Sequence, residues 1–135
     1  MKRVTGIGGI FFKSEDPEKL KEWYAKHLGV PIVEEEPDES YVIFDWQKQA
    51  DEERKGYTLW GPFKEDTEYM RPSKKEFMFN FTVENLAEIL AILRDEGVNV
   101  FDEIEDNREG KFGWIMDPEG NKIELWEPKK KRKEN

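Results

Sequence analysis

Asp117-Pro118-Glu119-Gly120-Asn121-Lys122-Ile123-Glu124-Leu125 reads as a tight turn that feeds a strand. Its first five positions hold the residues a chain reversal needs: proline to preset φ, glycine to allow a positive φ, and Asp and Asn to bond their own backbone. The residues that follow alternate polar and apolar, the period-two pattern of a half-buried strand. Residues 112–116 read as the strand entering the turn, and residues 122–127 as the strand leaving it.

Working outward, residues 77–83 form a strand candidate. Residues 85–96 follow as a helix with Leu86, Ile89, Leu90 and Leu93 on one face. Gly97 stops that helix, and residues 98–101 give a further strand, so this half reads βαβββ. Gly29 lies 68 positions before Gly97 and closes an earlier copy of the pattern. A strand at 9–13 leads to Asp16-Pro17, an N-cap with proline at the first helical position. In the helix that follows, Leu20, Trp23, Tyr24 and Leu28 share the apolar face, while Lys19, Lys21, Glu22 and Lys26 take the other. Strands at 30–33, 41–46 and 57–60 complete the first half, separated by polar segments at 34–40 and 47–56. Each half is legible without the other, so the duplication is a firmer inference than any single element. The expectation is one α+β domain over residues 1–128: module one about 5–61, a linker about 62–76 and module two about 77–128.

The chain has 135 residues, 36% hydrophobic and 13% aromatic, enough for one self-supporting core. It contains no cysteine, which removes disulfides, thiolate metal sites and a cysteine nucleophile. Acidic residues outnumber basic ones 31 to 22, and the net charge of −9 argues against nucleic acid as a partner. The basic run Lys129-Lys130-Lys131-Arg132-Lys133 reads as a solvated tail, flexible over 129–135. The opening residues show neither the apolar core nor the cleavage site of a signal peptide, and no stretch is long enough to span a bilayer. A cytoplasmic protein without a membrane partner is expected. The charged fraction, 39%, matches the surfaces of thermophilic or engineered proteins and points to no function by itself.

The order of elements, the phrase Asp16-Pro17-Glu18-Lys19-Leu20-Lys21-Glu22-Trp23-Tyr24 ahead of Leu28-Gly29, and the turn and strand at 117–125 resemble the vicinal oxygen chelate superfamily, which includes glyoxalases, bleomycin-resistance proteins and extradiol dioxygenases. The resemblance spans residues 5–128 and implies two βαβββ modules whose curved mixed sheets surround a shared cleft. In that superfamily the cleft commonly holds a divalent metal on His and Glu side chains. Carried over by position, the histidines fall on Gly9 and Met78, and the first-half carboxylate falls near Leu59 or Trp60. Only Glu124 keeps a ligand-like side chain, and one carboxylate is too few for a zinc or comparable site. The expectation is therefore no metal and no other cofactor. Glu124 also has a plain reading, as a buried hydrogen-bond acceptor.

The single histidine, His27, sits at the end of the first helix, where imidazole suits the helix C-terminus. Gly6-Ile7-Gly8-Gly9 precedes a strand and lacks a following Gly-Lys-Ser/Thr, so it serves close backbone approach and not phosphate binding. Strand alternation, with faces assigned from the resemblance, sends Gly9, Phe11, Lys13, Met78, Asn80, Thr82, Glu124 and Trp126 into the cleft. Ile10, Phe12, Phe79, Phe81, Ile123 and Leu125 then face the helices. Trp60 and Trp114 join the cleft, completing a candidate ligand set of Phe11, Trp60, Met78, Asn80, Trp114, Glu124 and Trp126. Aromatic walls with one carboxylate suit a planar or cationic small molecule.

The leading expectation is thus a metal-independent small-molecule binder, with a homodimer implied by the resemblance. A metal-dependent lyase, isomerase or dioxygenase is the alternative, and it would need further ligands such as Asp45, Glu76 or His27. A structural or dimerisation module, or an engineered scaffold, is the third reading.

Overall fold

The computed structural model describes residues 2–32, 41–46, 53 and 56–129. Among these described residues, eight strands and two helices follow in the order β1 (Val4–Ser14), α1 (Pro17–Leu28), β2 (Val42–Asp45), β3 (Tyr57–Lys64), β4 (Phe77–Val83), α2 (Leu86–Asp95), β5 (Asn99–Val100), β6 (Glu105–Asn107), β7 (Gly110–Met116) and β8 (Lys122–Pro128). They build one curved, open sheet in the order β2-β3-β1-β4-β8-β7-β5, with β6 paired to β7. Within each half the first and last strands run parallel, β1 with β3 and β4 with β8. The two halves meet at the antiparallel seam between β1 and β4.

Local chemistry accounts for the element boundaries. Asp16 accepts a hydrogen bond from Lys19 N at 3.1 Å, and Asn85 does the same for Glu88 N at 3.1 Å, each cap being worth about 1 kcal/mol. Gly29, at φ 67°, ends α1 in the left-handed conformation that a Cβ would penalise. In the 117–121 turn, Asp117 Oδ1 accepts from Glu119 N and Asn121 N at 2.8 and 2.9 Å, and Oδ2 accepts from the Asn121 amide at 2.7 Å. The strand expected at 30–33 does not form at Val30–Ile32, where Pro31 lacks a ladder donor, and Val33 lies outside the described residues. The polar segments at 34–40 and 47–56 also lie largely outside the described residues, as does the 129–135 tail beyond Lys129.

The sheet has a core on each side. On the convex side, Leu86, Ile89 and Leu90 of α2 bury against Val83 and Leu125, with Phe81, Ile115 and Ile123 packed around them. Burying each of these side chains is worth about 1.5–3 kcal/mol. Helix α1 docks more lightly than its periodicity promises. Tyr24 meets Trp60 with ring centroids 4.6 Å apart, but Trp23 and Leu28 are exposed, and the residue that goes under is Lys21, 6% exposed. Lys21 follows Leu20 around the helix toward the sheet; its alkyl stem can lie buried while Nζ reaches Glu18 Oε1 at 3.4 Å.

The two helices sit over the flanks of the sheet, α1 on β3 and α2 on β5, β7 and β8. Among the described residues, the central seam is left open on this side. Ile10, Phe77 and Phe79 are consequently exposed there, whereas the expectation had Ile10 and Phe79 covered by helices. Phe12 is covered, packing on Trp60 at 5.6 Å.

Candidate functional site

On the concave side one row of residues crosses the sheet in register. Leu59 pairs with Gly9, Gly9 with Asn80, Asn80 with Glu124 and Glu124 with Trp114. Glu124 is 1% exposed and Asn80 0%. Asn80 Nδ2 donates to Glu124 Oε1 at 2.7 Å, Trp114 Nε1 donates to Oε2 at 2.9 Å, and the Tyr69 hydroxyl donates to the same Oε2. A buried carboxyl is tolerable because three donors surround it. Burial still pushes its pKa up, against the opposing pull of the hydrogen bonds from Tyr69, Asn80 and Trp114. Burial likewise drives the Tyr69 hydroxyl above the ordinary tyrosine range, with the Glu124 charge adding to the effect.

Tyr69 belongs to the segment 65–76 that joins the modules. This strap crosses the concave side and inserts Tyr69 and Met70 among Phe11, Phe63, Met78 and Trp114. Lys122 also turns inward. Its Nζ lies 5.5 Å from the Tyr69 ring centroid, 5.0 Å from Phe101 and 5.5 Å from Trp114, and donates to Tyr69 O at 2.7 Å. The environment foreseen for a cationic guest, aromatic rings beside a carboxylate, is thus shared by the protein's own half-buried ammonium. Desolvation lowers the Lys122 pKa, which the Glu124 charge partly offsets.

Of the expected ligand set, Phe11, Met78, Asn80, Trp114, Glu124 and Trp126 come together here, all buried. Trp60 does not join them. Adjacent strand residues point to opposite faces, so Leu59 takes the concave position while Trp60 packs on Phe12 and Tyr24 beneath α1. Tyr69 gave no sequence signal, because a turn-rich linker has no period to read. Lys122 did give one: it alternates with Glu124 and Trp126 on β8.

Open space lies at one end of the concave side, in a groove of 760 Å³ between the starts of β1 and β3 and the ends of β2, β4 and β8. Trp46 and Tyr57 contribute aromatic surface beside the buried Trp126, and Asp45, Glu84 and Glu127 contribute carboxylates, with no Lys or Arg in the lining among the described residues. Trp46 is held in place by a bond from its Nε1 to Thr58 Oγ1 at 2.8 Å. A Cβ on Gly56 would stand 2.7 Å from the Trp46 indole, so glycine is what lets the ring lie on the backbone. Glu127 Oε1 accepts from Leu86 N at 2.8 Å and so caps α2.

The sequence model of the glyoxalase-like domain matches residues 9–126. The chain belongs to that family. Structures of methylmalonyl-CoA epimerase, a vicinal oxygen chelate enzyme, share its architecture. The Mycobacterium tuberculosis epimerase superposes with a TM-score of 0.62 at 21% identity, covering 96% of this chain and 92% of that one. A single-residue variant of the Streptomyces coelicolor epimerase, in complex with 2-nitronate-propionyl-CoA, gives 0.58 at 21%, covering 90% and 96%. A Legionella pneumophila structure described as an NAD-dependent benzaldehyde dehydrogenase gives 0.56 at 18%, covering 90% and 98%. At these identities the likeness is one of fold. No curated protein matches the chain by sequence.

Many glyoxalase-like proteins hold a divalent metal, and the residues at the corresponding positions here do not fit one. A Cβ on Gly9 would lie 2.5 Å from both Leu59 Cβ and Leu59 O, so no larger side chain has room there. Met78 is fully buried among hydrocarbon and aromatic groups. Both Glu124 oxygens already accept hydrogen bonds. Asp45 lies at the groove, Glu76 is exposed at the foot of β4, and His27 is exposed on α1 against Trp23. Among the described residues no three His, Asp or Glu side chains are grouped so that they could hold a metal ion.

Proposed function

We propose that this glyoxalase-like protein binds a small, planar organic cation without a metal, in the groove bordered by Trp46, Tyr57 and Trp126. The observation that carries the reading is the composition of that lining: two accessible aromatic residues, three carboxylates and, among the described residues, no basic side chain around 760 Å³. That volume suits a drug-sized ligand. A cation near a partly exposed carboxylate gains about 4 kcal/mol of gross attraction before desolvation, and each ring face adds about 0.5–2 kcal/mol. An anionic substrate would meet repulsion from Glu84 and Glu127.

The test is a tryptophan-fluorescence titration with N-methylquinolinium, set against the neutral isostere 1-methylnaphthalene. Saturable quenching by the cation, weakened roughly tenfold in both Trp46→Ala and Glu84→Gln, is the expected result. Equal responses to the two compounds, or indifference to both substitutions, would refute the assignment.

We further propose that the protein is a homodimer joined through the convex seam. The exposed side chains of Ile10, Phe77 and Phe79, contiguous across β1 and β4, support this.

A further inference from the structure

The concave chamber is filled by a side chain that belongs to neither module, and the manner of filling resembles ligand binding. The Tyr69 ring lies 5.4 Å from Phe63 in a tilted contact and meets Trp114 edge-on at 6.0 Å and 87°. Lys122 Nζ stands off the ring, and the hydroxyl donates to Glu124. Aromatic walls, an oriented acceptor and a cation are the elements by which a pocket selects a phenol.

The strap is joined to the sheet by few backbone bonds. Its backbone bonds include Thr67 N to Lys64 O at 3.0 Å, Arg71 N to Glu68 O at 3.1 Å and Ser73 N to Met70 O at 2.9 Å. The last two lie within the strap; Thr67 N reaches back to β3, and Lys13 N to Glu76 O at 2.8 Å and Lys122 Nζ to Tyr69 O at 2.7 Å are the further ties that lifting would strain or break, while Met70 would be uncovered. The chamber walls stay in place, since Asn80, Trp114 and Glu124 sit on β4, β7 and β8 and hold one another. Without Tyr69, Glu124 Oε2 would lose one of its two donors in a low-dielectric site. That loss favours a replacement ring carrying a hydroxyl over a plain ring.

We propose that the chamber is a binding site for phenols, occupied in this conformation by Tyr69 as a tethered ligand, and that the 65–76 strap lifts to admit a free one. The ligand is an uncharged ring with a hydroxyl donor; a carboxylate or phosphate in the same place would face Glu124. This site is separate from the cation groove and does not depend on it.

The experiment uses p-cresol, the free equivalent of the tyrosine side chain, and toluene, which lacks the hydroxyl. Both are titrated calorimetrically, and by thermal melting, into the full chain, Tyr69→Ala and Tyr69→Phe. Tyr69→Ala should bind p-cresol saturably and toluene at least about tenfold more weakly. The unaltered chain should bind p-cresol roughly tenfold or more weakly than Tyr69→Ala, because the tethered ring competes at high effective concentration. Should Tyr69→Ala not fold, Tyr69→Phe decides. It keeps the ring but loses the bond to Glu124, so it should take up p-cresol more tightly than the unaltered chain. Equal affinity for p-cresol and toluene in Tyr69→Ala, or no saturable uptake by the unaltered chain up to the solubility of p-cresol, would overturn the proposal. Trp46→Ala should leave p-cresol binding unchanged, which separates this result from the fate of the cation groove.

Discussion

Asn80 and Glu124 are register partners on the parallel strands β4 and β8. The Asn80 amide nitrogen donates to Glu124 Oε1 at 2.7 Å, while the Asn80 carbonyl oxygen, equally buried, has no hydrogen-bond partner among the described residues. Glu124→Gln should therefore be nearly neutral, within about 1 kcal/mol. The new amide can keep its oxygen toward Tyr69 and Trp114, and a flipped Asn80 can accept from its nitrogen. Glu124→Ala instead strands three donors and opens a void, and should cost about 3–5 kcal/mol. Urea unfolding of both variants checks the pair; similar losses in the two would show that the negative charge itself is needed.

The same pair sets a pH dependence. The Glu124 carboxyl is raised above its ordinary value of 4.5, first by burial, so the folded chain holds this proton more tightly than the unfolded chain. Its contribution to stability is full below the ordinary value and is lost as pH rises through the raised one, at no more than about 1.4 kcal/mol per pH unit. Glu124→Gln lacks this loss. The stability of the variant relative to the unaltered chain should increase with pH across that window and then level off. Parallel pH profiles would mean the carboxyl is not raised.

Gly9 should resist restoration of a histidine. Gly9→Ala places a Cβ 2.5 Å from Leu59 Cβ and O, and should cost about 1–3 kcal/mol as overpacking. Gly9→His should be less stable still and should not create tight zinc binding, because Glu124 is already saturated with donors. Thermal melts and zinc calorimetry measure both effects, and a stable Gly9→His that binds zinc tightly would contradict the packing argument.

Phe79→Lys should abolish a dimer and leave the monomer fold intact, since Phe79 is 39% exposed on the uncovered seam. Sedimentation velocity over a range of concentrations would show a single monomeric species in the variant and a self-associating one in the parent. A parent that remains monomeric at every concentration would exclude the dimer.

How much could be read beforehand differs from element to element. Asp16-Pro17, Gly29 and the 117–121 turn act within a few residues of themselves and stand where the sequence places them, while Asn85, read as the first residue of its helix, is the cap. Periodicity located α2 and its buried face correctly, because Leu86, Ile89 and Leu90 make one continuous stripe. It misplaced part of α1, where Trp23 is apolar yet exposed and Lys21 is charged yet buried. Hydrophobic pattern reports what a side chain prefers, and the width of contact beneath a helix decides what it receives.

The candidate site divides in the same way. Alternation on β4, β7 and β8 grouped Asn80, Trp114, Glu124 and Trp126, and it carried the signal for Lys122. The first-half face depended on which of Leu59 and Trp60 turned inward. Pairing of β3 with β1 settles that choice, Leu59 lying beside the Gly9 that leaves it room.

What the sequence by itself determined is an α+β chain of two halves, each opening with a strand and a helix, together with its caps and turns. These follow from backbone geometry and side-chain type over short spans. Only the tertiary structure decided that the centre of the concave side is filled. The filling comes from Tyr69, 55 positions away from the Glu124 it meets, and from Lys122 held among three rings. A linker's path across a sheet depends on shape and burial summed over the whole chain, and no local pattern encodes it.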